Sequence, residues 1–242
     1  MKLNQELIPP VNTAVEYSFH LLSRRLDLKK RQYGLLVGCG KGEEVIYFRR
    51  LFHSPYIIGV DIVSNFSPLV MKEKCTLIAN GENLPFPSNR FNFCGAFHSL
   101  EHMSNPYKVV AEIFRVLLPG GWFYLGVPNK TRIIGYMGSF EASIREKIVW
   151  NIKDYVARLK GKFENELGAH AGFTKKELQG LLDLYFSYTL FVTEDYLRFK
   201  YANKIPRSIL DFLLSPKMGI ILPQRIMLFV GNWYKINNFI KI

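Results

Sequence analysis

The chain opens with apolar residues at three- and four-residue spacing. Val15, Phe19, Leu22 and Leu26 predict an amphipathic helix over 11–28. The pattern then changes to short apolar runs at 33–37, 56–60, 75–79 and 91–97, each read as a strand. Tyr56-Ile57-Ile58-Gly59-Val60 has no polar interruption, as expected of a strand covered on both faces of a parallel sheet. Helices are predicted at 42–52 and 104–118, with Leu118-Pro119-Gly120-Gly121 closing the second. Trp122 to Val127 is the next strand, stopped by Pro128, and PFPSN at 85–89 is a loop. Strands alternating with helices about every 20 to 30 residues predict a doubly wound α/β domain.

Beyond Pro128 the rhythm changes. Residues 131–162 read as two helices rich in apolar and basic side chains. Lys175 to Leu184 reads as a helix with Thr174 as N-cap and Glu177 three residues later, a capping box. Strands are expected at 186–193 and 226–233, which brings the sheet to seven strands, mostly parallel, with helices on both faces. The segments 131–162 and 197–224 read as helical cap or lid insertions in a single domain over 1–242, with extra packing against the sheet as the alternative. Tyr136, Phe140, Trp150, Tyr155, Phe191 and Tyr196 are available to a pocket or to the core.

Composition narrows the setting. Apolar residues make up 48% of 242, enough for a full core, and no linker or repeat divides the chain. The N-terminus lacks a signal-peptide layout, and no apolar run is long enough to suggest a membrane span. Cys39, Cys75 and Cys94 are too few and too scattered for a disulfide framework or a zinc site, so a cytoplasmic setting is expected. The net charge is +12. Residues 130–242 carry 18 basic against 10 acidic residues, and residues 1–129 carry 14 against 10. That surplus suits an anionic small molecule, nucleic acid or an anionic membrane surface, or else a solvated lysine-rich face.

The candidate chemistry begins at VGCGKG, 37–42, where three alternate glycines leave the first strand. A strand, a glycine turn and a helix start together make a nucleotide-receptive site. The dinucleotide fingerprint fails because Glu43 stands at its third glycine, and the phosphate-binding P-loop fails at the same residue. Glu43 and Glu44 would also repel a pyrophosphate. Asp61 ends the second strand, where a carboxylate accepts hydrogen bonds from a ribose diol. The pocket therefore suits a nucleoside with little or no phosphate.

VGCGKG, IIGVD, ANGENLPFPSNRFN, FHSLEHMSNP and RVLLPGGWFYLGVPN together resemble, in order, the class I S-adenosylmethionine-dependent methyltransferases. The resemblance is nearest to the group that includes ubiquinone and menaquinone biosynthesis enzymes. It covers about 34–130 well and is weaker over 170–233. It implies a Rossmann-like methyltransferase fold, S-adenosylmethionine as cofactor and a small-molecule acceptor, lipid-like or anionic. Gly38, Cys39, Gly40 and Gly42 would wrap the methionine part of the cofactor. Asp61 would hold the ribose hydroxyls and Ile62 would lie against the adenine. Asn80 and Gly81 would flank the adenine, and Phe97 and His98 would face the sulfonium. The family usually has an acidic residue two positions before the first turn glycine, where this chain has Leu36. That departure keeps open a non-catalytic, methyltransferase-like binding protein. The charge keeps open an RNA methyltransferase.

Methyl transfer needs alignment and desolvation more than acid–base groups. A hydroxyl acceptor would benefit from a base, and His98, His102 and His170 are the candidates. His98 is the best placed, at a strand's C-terminal end. The three histidines form no credible metal site. The apolar and basic mixture of 131–162 also suits peripheral membrane contact.

Overall fold

The computed structural model describes residues 8–133, 135–136, 142–165, 171–214 and 225–231. It forms a seven-stranded sheet of order β3-β2-β1-β4-β5-β7-β6. The strands are β1 (Gly34–Val37), β2 (Ile57–Asp61), β3 (Thr76–Ile78), β4 (Phe91–Phe97), β5 (Leu117–Pro128), β6 (Tyr188–Phe191) and β7 (Arg225–Gly231). The first five pair in parallel, and β7 runs antiparallel between β5 and β6. All four residues of β1 are buried, which explains its uninterrupted apolar run.

Helices cover both faces. On one face lie α1 (Thr13–Ser23), α2 (Glu43–Leu51) and α7 (Thr193–Tyr201), around a core that includes Leu22, Phe48, Phe93, Tyr124 and Tyr196. On the other lie α4 (Pro106–Val116) and α6 (Lys175–Leu182), around Val109, Ile113, Phe123, Leu178 and Phe186. The short α3 (Pro68–Glu73) leads into β3. Asn12 caps α1 by accepting from the Ala14 amide at 2.9 Å. Thr174 and Glu177 form the expected capping box on α6.

Several boundaries differ from the expectations. The helix expected over 104–118 ends at Val116, because Leu117 already pairs with Phe91 of β4. Leu118 to Gly121 therefore bulges within β5, and the ladder resumes where Trp122 faces Phe93. The segment 131–162 holds one helix, α5 (Ile144–Leu159); the described residues from 131 to 143 are not helical. The expected strand 186–193 stops at Phe191 because Thr193 starts α7, whose first turn carries Glu194 and Asp195. Tyr196 is buried beside Tyr17, so it serves the core. Of 197–224, residues 207–214 form α8 (Arg207–Leu214), while 215–224, Phe140 and the end of the last strand at 232–233 lie outside the described residues.

Arg132 ties this second half together. It donates to Asp154 Oδ2 of α5 at 2.8 Å and to the Ala171 carbonyl at 2.9 Å. Among the described residues no helix is long and apolar enough to cross a membrane. The three cysteines are free and buried.

Candidate active site

The C-terminal ends of the parallel strands bring the site together. Gly38 and Cys39 leave β1 by donating to the Val60 carbonyl of β2, at 2.8 and 3.1 Å. The three turn glycines all have positive φ: Gly38 at 70°, Gly40 at 52° and Gly42 at 81°. Their surroundings separate them. A Cβ on Gly38 would lie 2.3 Å from the Ser99 Cβ, whereas one on Gly40 would meet nothing within 4 Å. Gly38 is thus a packing requirement and Gly40 borders open space. Ser99, which sequence reasoning passed over, donates from Oγ to the Val37 carbonyl at 2.8 Å and pins the turn to the end of β4.

Asp61 reaches across to the same turn. Its Oδ2 accepts from the Gly40 amide at 2.7 Å, and its Oδ1 accepts from the Val63 amide at 3.1 Å. Each carboxylate oxygen keeps lone-pair capacity for a further donor. Ile62, the next residue, is exposed. Asn80 Oδ1 accepts from the Glu82 amide at 2.9 Å, a local turn that holds the chain after β3. Gly81 lies against Val37 and Met103: a Cβ there would be 3.1 Å from Val37 Cγ1.

Two expected pocket side chains turn inward. The Phe97 ring packs against Tyr124 and Phe48, with centroids 5.4 and 6.2 Å away, so its role is packing in place of the expected exposure to a ligand. Cys39 is buried with its sulfur toward Gly59 of β2, where an added Cβ would lie 2.6 Å away. Burial and the nearby Asp61 and Glu44 charges push its thiol up to about 12, so the neutral thiol packs and only the Cys39 backbone belongs to the turn. Leu36 is 1% exposed and lies in the apolar core with Phe93 and Phe97.

Glu44, in the first turn of α2, is partly buried, and burial together with the Glu43 charge pushes its carboxyl up to about 7. Its position beside the glycine turn was legible in the sequence, but its environment was not.

The strand-4 end supplies the acid–base candidates. His98 follows β4 with φ of 52°, a left-handed conformation uncommon for a residue with a side chain. Its Nδ1 lies 3.5 Å from Glu101 Oε1, and His102 Nε2 lies 4.0 Å from the same oxygen. Glu101 is buried, and its Oε2 has no hydrogen-bond partner among the described residues. Beyond it opens a cleft of about 760 Å³ lined by Glu101, His102, Tyr107, Lys130, Phe173 and Glu177 among others. Lys130 lies between Glu164 and Glu177, at 2.7 and 3.5 Å. His170 lies outside the described residues.

Residues 35–125, which contain the glycine turn, Asp61, His98 and Glu101, match the family described as "Methyltransferase domain". Over that segment, less than half of its length, the chain is similar to this family. An uncharacterized protein of Methanocaldococcus jannaschii is 34% identical over 105 residues, 43% of this chain and 48% of its own length. The chain thus spans about half the length of that curated relative. The demethylmenaquinone methyltransferase of Listeria monocytogenes is 26% identical, over 63% of this chain and 67% of its own. Phosphoethanolamine N-methyltransferase 2 of Haemonchus contortus, solved with S-adenosyl-L-methionine, superposes with a TM-score of 0.55 at 17% identity, covering 89% of this chain and 51% of its own. That likeness is one of fold. The matched segment has its glycine turn, Asp61 and the His98–Glu101 pair at one end of one sheet.

Proposed function

We propose that this chain transfers a methyl group from S-adenosylmethionine to a small-molecule acceptor. The observation that carries the reading is the Asp61–Gly40 contact, which joins the C-terminal ends of β1 and β2 next to the switch point between β1 and β4. It holds the turn and the ribose-binding carboxylate in one rigid unit before ligand arrives. Gly40 leaves space for the methionine part, Asp61 accepts from the ribose hydroxyls, and exposed Ile62 covers the adenine. When bound, the sulfonium supplies an electrophilic methyl group. His98, oriented by Glu101, takes a proton from the acceptor as its nucleophilic atom attacks.

The cleft favours an acceptor whose reacting part is uncharged or cationic. Glu101, Glu164 and Glu177 outnumber Lys130 there, so a carboxylate or phosphate next to the reacting atom would be repelled. An anionic or lipid-like portion of the acceptor would then lie outside the cleft.

The test is label transfer from methyl-labelled S-adenosylmethionine across phenols, quinols, amines, a lipid extract and tRNA. Label in a small-molecule or lipid product, lost in Asp61→Ala, supports the reading. Label in tRNA alone would favour the RNA alternative. Cofactor binding with no labelled product across the panel would favour the non-catalytic one.

A further inference from the structure

Helix α5 is built inside out. At 100° per residue, Ile144, Ile148, Ile152, Tyr155, Val156 and Leu159 share one face. That face points to solvent: Ile144 is 78% exposed, Ile148 55%, Ile152 56% and Leu159 89%. The polar side faces the protein. Asp154 is buried against Arg132 and accepts from the Tyr136 hydroxyl at 3.0 Å. Asn151 accepts from the Gly135 amide at 2.7 Å, and Arg158 donates to the Arg132 carbonyl at 3.1 Å while lying over the Phe163 ring. These inward bonds fix the rotation of the helix. The apolar face is therefore not left outside by accident of a loose helix.

The charges around that face are mostly basic. Arg145 lies among the apolar residues, Lys153 borders them, and Lys160 and Lys162 follow the helix end; all four are exposed. Of the acids, Asp154 is buried against Arg132, and Glu146 is the one exposed carboxylate, in the capping box with Ser143 at the helix start. An exposed apolar face in a basic frame is the composition that seats a helix in the headgroup region of a bilayer. A second copy of the chain fits less well, because a two-fold contact would set one basic frame against the other.

We propose that α5 docks this protein on an anionic lipid surface, lying in the plane of the interface with its apolar face inserted. The 16 residues of the helix give a contact about 24 Å long. The inference stands on α5 and does not depend on methyl transfer.

The test is co-sedimentation of the full chain, without cofactor, with vesicles of phosphatidylcholine alone or with phosphatidylglycerol added. The chain should pellet with the anionic vesicles, and less so as salt rises. Lys153→Ala should weaken binding roughly fivefold. Ile148→Asp with Ile152→Asp should abolish it; both positions are exposed, so an unchanged thermal melt shows that the fold is kept. Failure of the wild type to pellet with anionic vesicles at low salt would overturn the proposal. So would pelleting of the double variant like wild type, or a dimer in solution that the double variant breaks apart.

Discussion

The Asp61 carboxylate accepts from the Gly40 amide at 2.7 Å, joining the ends of β1 and β2 across the mouth of the site. One oxygen therefore shapes the turn, while the same group has capacity left for a ribose hydroxyl. The turn is ordered in advance, which lowers the ordering cost of ligand binding.

The glycines of that turn should separate by experiment. Gly38→Ala puts a methyl 2.3 Å from Ser99 Cβ and should cost stability beyond the left-handed backbone penalty of about 1–2 kcal/mol. Gly40→Ala carries only that backbone penalty, since its methyl meets open space. It should instead weaken S-adenosylmethionine binding by about 1–3 kcal/mol, because the methyl occupies ligand room. Urea unfolding and calorimetry on the two variants read the contrast. Equal loss of stability in both would contradict it.

Leu36 should resist conversion to the acid that the family usually has there. Its side chain is 1% exposed in an apolar cluster. Leu36→Asp should cost about 3–5 kcal/mol as an uncompensated buried charge. Tighter cofactor binding at unchanged stability would show that the position still opens onto the ligand.

Glu44 gives a pH signature. Its folded value is raised from 4.5 to about 7, so the native state binds the proton more tightly than the unfolded chain. Its contribution is fully present below pH 4.5 and is lost as pH rises through about 7. Glu44→Gln should be more stable than wild type above pH 7 by on the order of 1–3 kcal/mol. The two proteins should converge at low pH. Parallel stability curves from pH 4 to 8 would show that Glu44 is solvated.

His98 and Glu101 should respond differently. His98→Asn keeps a residue tolerant of positive φ and removes the base, so kcat should fall about 10²–10⁴-fold for a hydroxyl acceptor. Glu101→Gln keeps the shape and removes the charge 3.5 Å from Nδ1. It should lower kcat less than His98→Asn does and leave KM for the cofactor unchanged, because the imidazole loses the group beside it but stays in place. An unchanged kcat would reduce Glu101 to a structural residue.

The parallel half of the fold was legible because its signals are local. Apolar runs bounded by glycine, Asp61 and Pro128 placed β1, β2 and β5, and the capping pair Thr174 and Glu177 placed the start of α6. The bulge at Leu118 to Gly121 was not, since a Pro-Gly-Gly stretch ends a helix as readily as it kinks a strand. Phe97 and Cys39 were placed correctly along the chain, but the sequence does not say which face a strand-end side chain takes. The orientation of α5 was hidden for a related reason. Its apolar period predicts burial of that face, and the inward bonds of Asp154, Asn151 and Arg158, to partners distant in the chain, turn the helix the other way.

The most direct test of the account is calorimetric titration of S-adenosylmethionine into the full chain, beside Asp61→Ala. The account predicts saturable binding to wild type and a loss of about 1.5–3 kcal/mol, or more than tenfold in Kd, in the variant. Equal binding by both proteins, or none by the wild type at millimolar cofactor, would contradict it.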